Sequence, residues 1–267
     1  MKSIDPLLID TQSLPDFRKI AIKQVGVKNL RYPIQIQDKQ HHVLQNTIAT
    51  VLLTVDLPAC HKGTHMSRFI EALHAHGSIL HVKNIHNILV QLKRRLHSYS
   101  AHVEFEFPFF LEKNAPVTRS RGVIDYTVRI SASLTGEKID CVLTVIVPVT
   151  TLCPCSKAIS TQGAHSQRGQ VVCSARFDQP IWIEDLIRMV ENSASCEVYS
   201  VLKRPDEKAV TEHAYTHPVF VEDLVRNIAV LAEENPEITW YRIEAENFES
   251  IHNHNAYALI EGGHHCH

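Results

Sequence analysis

The same element order appears twice in this 267-residue chain: strand, strand, helix, helix, strand, strand, with a join at the turn Thr135-Gly136-Glu137-Lys138. In the first half, Leu30–Gln37 and Gln45–Leu57 read as strands, the second rich in Val, Thr, Ile and Leu. Ser67–His76 and Ile85–His97 follow as helices; Ile85, Ile88, Leu89, Leu92 and Leu96 share one face of the latter, with Lys93, Arg94 and Arg95 facing outward. Val103–Leu111 alternates as a strand and Val123–Leu134 is another. In the second half, Ile139–Thr151 and Gln170–Phe177 read as strands, and Ile181–Ser193 and Pro218–Glu234 as helices. Pro218 is expected at a first-turn position of its helix. Ile238–Ala245 and Asn255–Ile260 close the chain as strands. The fold class is therefore α+β. Each half, 29–135 and 136–267, would be a four-stranded antiparallel sheet with two helices on one face, preceded by an N-terminal arm over 1–28. Such sheets leave open edges, which association into an oligomeric barrel would remove.

The charge balance narrows the function. With 27 Lys and Arg against 29 Asp and Glu, the net charge is −2, which argues against a nucleic-acid binder relying on bulk positive charge. No apolar run is long enough for a membrane span, and the start, Met1 to Pro6, carries acid and proline where a secretory signal needs an apolar core. A cytoplasmic protein is expected, so the seven cysteines are read as candidates for metal ligation or catalysis rather than disulfides. Gly263-His-His-Cys-His267 could be adventitious metal-binding sequence.

The chemistry concentrates just after the strand ending at Thr151. Cys153-Pro-Cys155 is followed by Lys157, then Gly163-Ala-His165 and Arg168. Thiols and imidazole bind transition metals; lysine and arginine bind phosphate. Gly163-Ala164 would let the backbone bend His165 back toward the cysteines, and Lys157 is a cation placed to favour thiolate. The plainer alternative is a pair of semi-buried thiols at a strand end. Glu207 falls in a segment, Lys203–Lys208, read as a loop, where a solvated acid is the default. Glu222 falls in a first helical turn, where a carboxylate suits the positive helix end. Glu249 and His252, three residues apart between the last two strands, suit acid–base work or metal ligation. In the first half, Lys62, His65 and Arg68 precede a helix start that could receive an anion, or could simply be capped by Thr64 or Ser67.

Leu152-Cys-Pro-Cys-Ser-Lys157, Gly163-Ala-His165-Ser-Gln-Arg168, Gly63-Thr-His65-Met-Ser-Arg68 and the Glu249/His252 pair together resemble the prokaryotic type IB GTP cyclohydrolases. The resemblance runs over nearly the whole chain from about residue 30. It implies two tunnelling-fold modules in tandem per subunit and a homotetramer with sites at subunit interfaces. It also implies hydrolysis of GTP to formate and 7,8-dihydroneopterin triphosphate, the first step toward tetrahydrofolate. The implied cofactor is a divalent metal, with manganese or zinc the usual candidates and iron(II) a third. By similarity, Cys153, His165 and Glu207 are the metal ligands. Cys153, Cys155, Glu249 and His252 share the catalytic centre. Glu222 anchors the guanine edge, and Lys157, Arg168, His65 and Arg68 are candidates for the triphosphate.

Two other readings compete. A tunnelling-fold nitrile reductase of deazaguanine metabolism would use a cysteine nucleophile and NADPH without a metal; Cys153-Pro-Cys155 with His165 favours the cyclohydrolase. A non-catalytic pterin- or metal-binding protein would bind metal and leave GTP intact.

Overall fold

The computed structural model describes residues 10–39 and 42–263. Its strands are β1 (Ile22–Gln37), β2 (Leu44–Leu57), β3 (Ser100–Asn114), β4 (Arg121–Thr135), β5 (Lys138–Leu152), β6 (Ser166–Phe177), β7 (Cys196–Glu197), β8 (Ile238–Asn247) and β9 (Ala256–Gly262). The helices are α1 (Ser67–His74), α2 (Val82–Leu96), α3 (Pro154–Ile159), α4 (Ile183–Ser193), α5 (Arg204–Thr216) and α6 (Val221–Glu234). Hydrogen-bonded neighbours run β1-β2-β3-β4-β5-β6-β8-β9, with the short β7 pairing with β5. The protein is thus a mixed α and β fold, and the pairs β1–β2, β2–β3, β5–β6, β5–β7, β6–β8 and β8–β9 are antiparallel.

Two compact units emerge. Of the described residues, one comprises 10–37, Leu44–Glu106 and Ser131–Cys141; the other takes in 38–39, 42–43, Phe107–Ile130 and 142–263. Strands β3, β4 and β5 each contribute residues to both.

In the first unit the period-two pattern of β2 buries Ala49, Val51, Leu53 and Val55, and that of β3 buries Ala101, Val103 and Phe105. Helix α2 covers them with Ile85, Ile88, Leu89 and Leu92, the stripe expected from 3.6-residue spacing, while Leu96 at its end is half-buried. Each fully buried side chain of this size contributes about 1.5–3 kcal/mol. Lys93 and Arg95 do not simply face outward: Lys93 Nζ donates to the Gly136 carbonyl, and Arg95 pairs with Glu71 at 3.2 Å. Strand β1 begins at Ile22, well before the expected Leu30.

In the second unit the near-continuous apolar run of β5 buries Val145, Val147 and Val149. Opposite them β6 buries Val171, Cys173 and Ala175, and β8 buries Ile243 and Ala245. Helices α4 and α6 bring Leu186, Ile187, Val190, Leu224 and Ile228 to this core. Three elements here differ from expectation. The Lys203–Lys208 segment is not a loop but the lead-in and first turn of α5, with Pro205 in the first turn and Asp206 accepting from the Lys203 N–H at 2.9 Å. Helix α6 starts at Val221 rather than Pro218. His217 and Pro218 instead end α5, as the restriction on a residue before proline dictates. The turn holding Cys155 is the short helix α3. The His-rich end, 264–267, lies outside the described residues.

Candidate active site

The thiol-bearing turn is built by the end of β5. Cys153 caps α3: its sulfur accepts the Ser156 N–H at 3.4 Å, and Pro154 occupies the first turn, where its missing N–H costs nothing. Ser156 Oγ donates to the Cys153 carbonyl at 3.1 Å and receives the His165 N–H at 3.2 Å. The Cys153 N–H in turn donates to the His165 carbonyl at 3.1 Å. The return from α3 passes through Gly163 at φ +128°, a conformation that side-chain-bearing residues rarely adopt. Cys153 and His165 are therefore locked together through their backbones, as the glycine between them implied.

His165 is half-buried. Its Nδ1 lies 3.0 Å from Gln167 Oε1 and 3.3 Å from Ser250 Oγ. The second contact brings the Glu249–His252 loop to the thiol turn. That loop leaves β8 beside β6, where the Phe248 N–H donates to the Arg168 carbonyl at 2.9 Å. Gly169 permits the approach: a Cβ there would stand 2.7 Å from Asn247 Oδ1 and 3.2 Å from the Glu246 carbonyl. Glu249 Oε2 and Asn247 Oδ1 are buried without a hydrogen-bond partner among the described residues. Glu249 immediately precedes Ser250, and a buried carboxylate oxygen without a partner can take a cation or an N–H donor. His252 is exposed and stacks on His254 at 5.1 Å.

Two helices converge on the same turn. The Val219 N–H donates to the Leu152 carbonyl at 3.1 Å, which fixes the start of α6 and hence Glu222, exposed in its first turn. Lys157 donates to the Tyr215 carbonyl and lies 4.5 Å over the Tyr215 ring, near the end of α5. Its charge is thus directed at Tyr215, not at the thiols. Cys155 is exposed. Arg168 is exposed on β6 opposite Thr150.

Glu207 sits in the first turn of α5, eight residues from Tyr215, or about 12 Å along the axis. Among the described residues no group of three His, Cys, Asp or Glu side chains converges closely enough to hold a metal ion. Cys153 and His165 are brought together; Glu207 does not join them within one chain. The donor types still suit a divalent ion: a thiol, an imidazole whose Nδ1 is engaged by its neighbours, and a carboxylate form a nitrogen, sulfur and oxygen set of the kind zinc accepts. In the first unit, His65 Nε2 pairs with Asp10 at 3.1 Å and Arg68 donates to the Arg95 carbonyl at 3.3 Å. The described cysteines are all free. Burial pushes the Cys173 thiol up to about 12 and those of Cys141 and Cys196 to about 11, which marks the buried Cys173 and Cys196 as inert core thiols and disfavours thiolate at the half-buried Cys141.

Three features of this region have little or no signature in the sequence. Gln167 is buried and donates to Thr151 Oγ1 at 3.0 Å. Ser195, fully buried just before β7, accepts the Leu152 N–H at 3.0 Å and so braces the strand end. Asp206, beside Glu207, organises the β3–β4 connection through Val117 and Thr118. Only Gln167 carries a signal: it lies two residues after His165, near the start of β6.

Residues 8–258 match the family model described as type I GTP cyclohydrolase folE2. A protein of Akkermansia muciniphila named GTP cyclohydrolase FolE2 is 61% identical over 95% of this chain and 97% of its own length. A protein of the same name from Syntrophus aciditrophicus is 52% identical over 95% of this chain and 99% of its own. Among solved structures, uricase from Arthrobacter globiformis superposes with a TM-score of 0.55 at 9% identity, covering 90% of this chain and 92% of that one. A hyperthermostable mutant of Bacillus sp. TB-90 urate oxidase gives 0.51 at 9% identity, with 91% and 99% covered. At such identities these structures speak to the fold alone.

Proposed function

The chain belongs to the type I GTP cyclohydrolase FolE2 family, and from that premise we propose that it hydrolyses GTP to formate and 7,8-dihydroneopterin triphosphate at the Cys153–His165 turn. The observation that supports this reading is the contact of Ser250 with His165, which brings the loop that carries Glu249, one of whose carboxylate oxygens has no partner among the described residues, to the thiol turn.

Cys153, His165 and Glu207 would hold a divalent ion, manganese, zinc or iron(II). Once bound, such an ion makes hydroxide available near neutral pH for attack at guanine C8. With Glu207 apart from the other two in one chain, the reading has it delivered when copies of the chain assemble. An open edge on β9 that exposes Tyr257 and Leu259 supports assembly, and we take the assembled form to be a homotetramer closing a barrel.

The remaining residues act on substrate. Glu222 accepts the N–H groups of the guanine edge, which rejects adenine because the purine would leave that carboxylate unpaired. Glu249 and His252 deliver and remove protons at the ring nitrogens as the imidazole opens and formate leaves, with Cys155 in the same centre. Lys157, Arg168, His65 and Arg68 receive the triphosphate.

Incubation of the full chain with GTP and a divalent metal, without NADPH, tests the reading. Stoichiometric formate and a pterin that fluoresces after oxidation are expected. Bound metal with intact GTP would favour a binding protein instead.

A further inference from the structure

We infer that Gln167 is a positioning residue that fixes the tautomer and ring orientation of His165, keeping Nε2 as the nitrogen with a free lone pair. The inference rests on the reading of His165 as a metal ligand.

Gln167 stands directly opposite Thr151 in the β5–β6 register, and both side chains are buried, Thr151 completely. Gln167 Nε2 donates to Thr151 Oγ1 at 3.0 Å, which turns Oε1 toward His165 Nδ1, also at 3.0 Å. A carbonyl oxygen only accepts, so the proton of a neutral His165 ring must sit on Nδ1. Ser250 Oγ, 3.3 Å from the same Nδ1, can accept as well. The opposite amide orientation would present an NH2 group to Nδ1, drive the ring proton to Nε2 and remove the lone pair that a metal needs. An amide in this apolar strand pair costs stability unless fully bonded, and here its two polar ends are matched to Thr151 and His165. The chain Thr151–Gln167–His165 thus transmits the rigidity of two core strands to an imidazole that is otherwise carried on the return from a short helix.

The test uses the full-length protein. Nitrogen-15 NMR of the metal-depleted form reads the tautomer: we expect the proton on Nδ1 of His165. Chelator competition then reads Mn2+ and Zn2+ affinity. Gln167→Leu should weaken both by about 10- to 100-fold and mix the tautomers, while Gln167→Glu, which still accepts from Nδ1, should recover most of the affinity. Thr151→Val, a smaller change should Gln167→Leu fail to fold, should weaken binding in the same direction. A wild-type ring protonated on Nε2, or wild-type affinity in folded Gln167→Leu beside a weakened His165→Ala, overturns the inference. Unchanged affinity in His165→Ala itself would instead remove the ligand reading, and the inference with it.

Discussion

The Val219 N–H donates to the Leu152 carbonyl at 3.1 Å, so the lead-in to α6 is fixed to the residue immediately before Cys153. Glu222 follows three residues later, in the first turn of the helix so anchored. Glu222 forms no ion pair with any described residue, which leaves its carboxylate available. Glu222→Ala should raise the apparent KM for GTP by about tenfold to a hundredfold, the cost of a charged hydrogen bond. The same change should cost the helix only about 0.3–1 kcal/mol through its end charge. Steady-state kinetics beside a thermal melt separates the two effects; an unchanged KM would remove the anchoring role.

Cys153 has two duties that a single substitution can split. As a cap it needs only an acceptor for the Ser156 N–H, and serine supplies one at least as well. Cys153→Ser should therefore keep α3 and the melting temperature close to wild type while losing metal occupancy and activity together. Elemental analysis of the purified variant checks this, and full metal content would exclude the thiol as a ligand.

Asp206 predicts an acid limb in stability. Burial opposes its ionisation, but the Thr118 hydroxyl and the N–H groups of Thr118, Lys203 and Val117 outweigh it and hold the carboxyl well below the ordinary 3.8. A depressed folded-state value means the stabilisation is complete above the unfolded pKa and is lost as pH falls from there through the lower folded value. Asp206→Asn should lower the melting temperature by several degrees at neutral pH and flatten its decline in acid. Parallel slopes for both proteins between pH 5 and pH 2 would contradict this.

Lys113 links two carboxylates in the second unit. Its Nζ lies 2.8 Å from Glu191, with side-chain exposures of 12% and 8%, and also pairs with Glu197. Burial pushes Glu191 upward despite this neighbour. Lys113→Met would remove the cation from both acids and leave buried Glu191 only the Tyr126 hydroxyl, and a loss of about 3 kcal/mol is expected in denaturant melts. Glu197 sits on β7 opposite Val149, so activity should fall as the β5 end loosens.

The parts legible in the sequence were those in which a single period dominates. The alternation of β3 and the apolar stripe of α2 both locate their buried faces correctly because burial is one-sided there. Helix α5 has little signature in the sequence because it is polar nearly all round, burying only Asp206 and Ala214, so that Lys203–Lys208 reads as a loop and Pro205 is the sole cue to its start. The turn at Thr135–Lys138 lies within a pair of long strands whose residues are divided between the compact units, a division no local pattern announces. Within the site, the adjacency of Cys153 and His165 followed from Gly163, but their link to Ser250 depends on the β6–β8 pairing and the close approach allowed by Gly169. That Glu207 stays apart from Cys153 and His165 within one chain is a matter of tertiary placement, which sequence spacing does not encode.

The most direct test of the central claim is a metal titration of the chelated protein, with GTP turnover followed by the fluorescence of the oxidised pterin. The predicted trace is silent without metal and rises in proportion to bound Mn2+ or Zn2+, up to one ion per chain. It stays flat in His165→Ala. Full-rate conversion by the chelated wild type, or by His165→Ala, would contradict the assignment of the reaction to the Cys153–His165 turn.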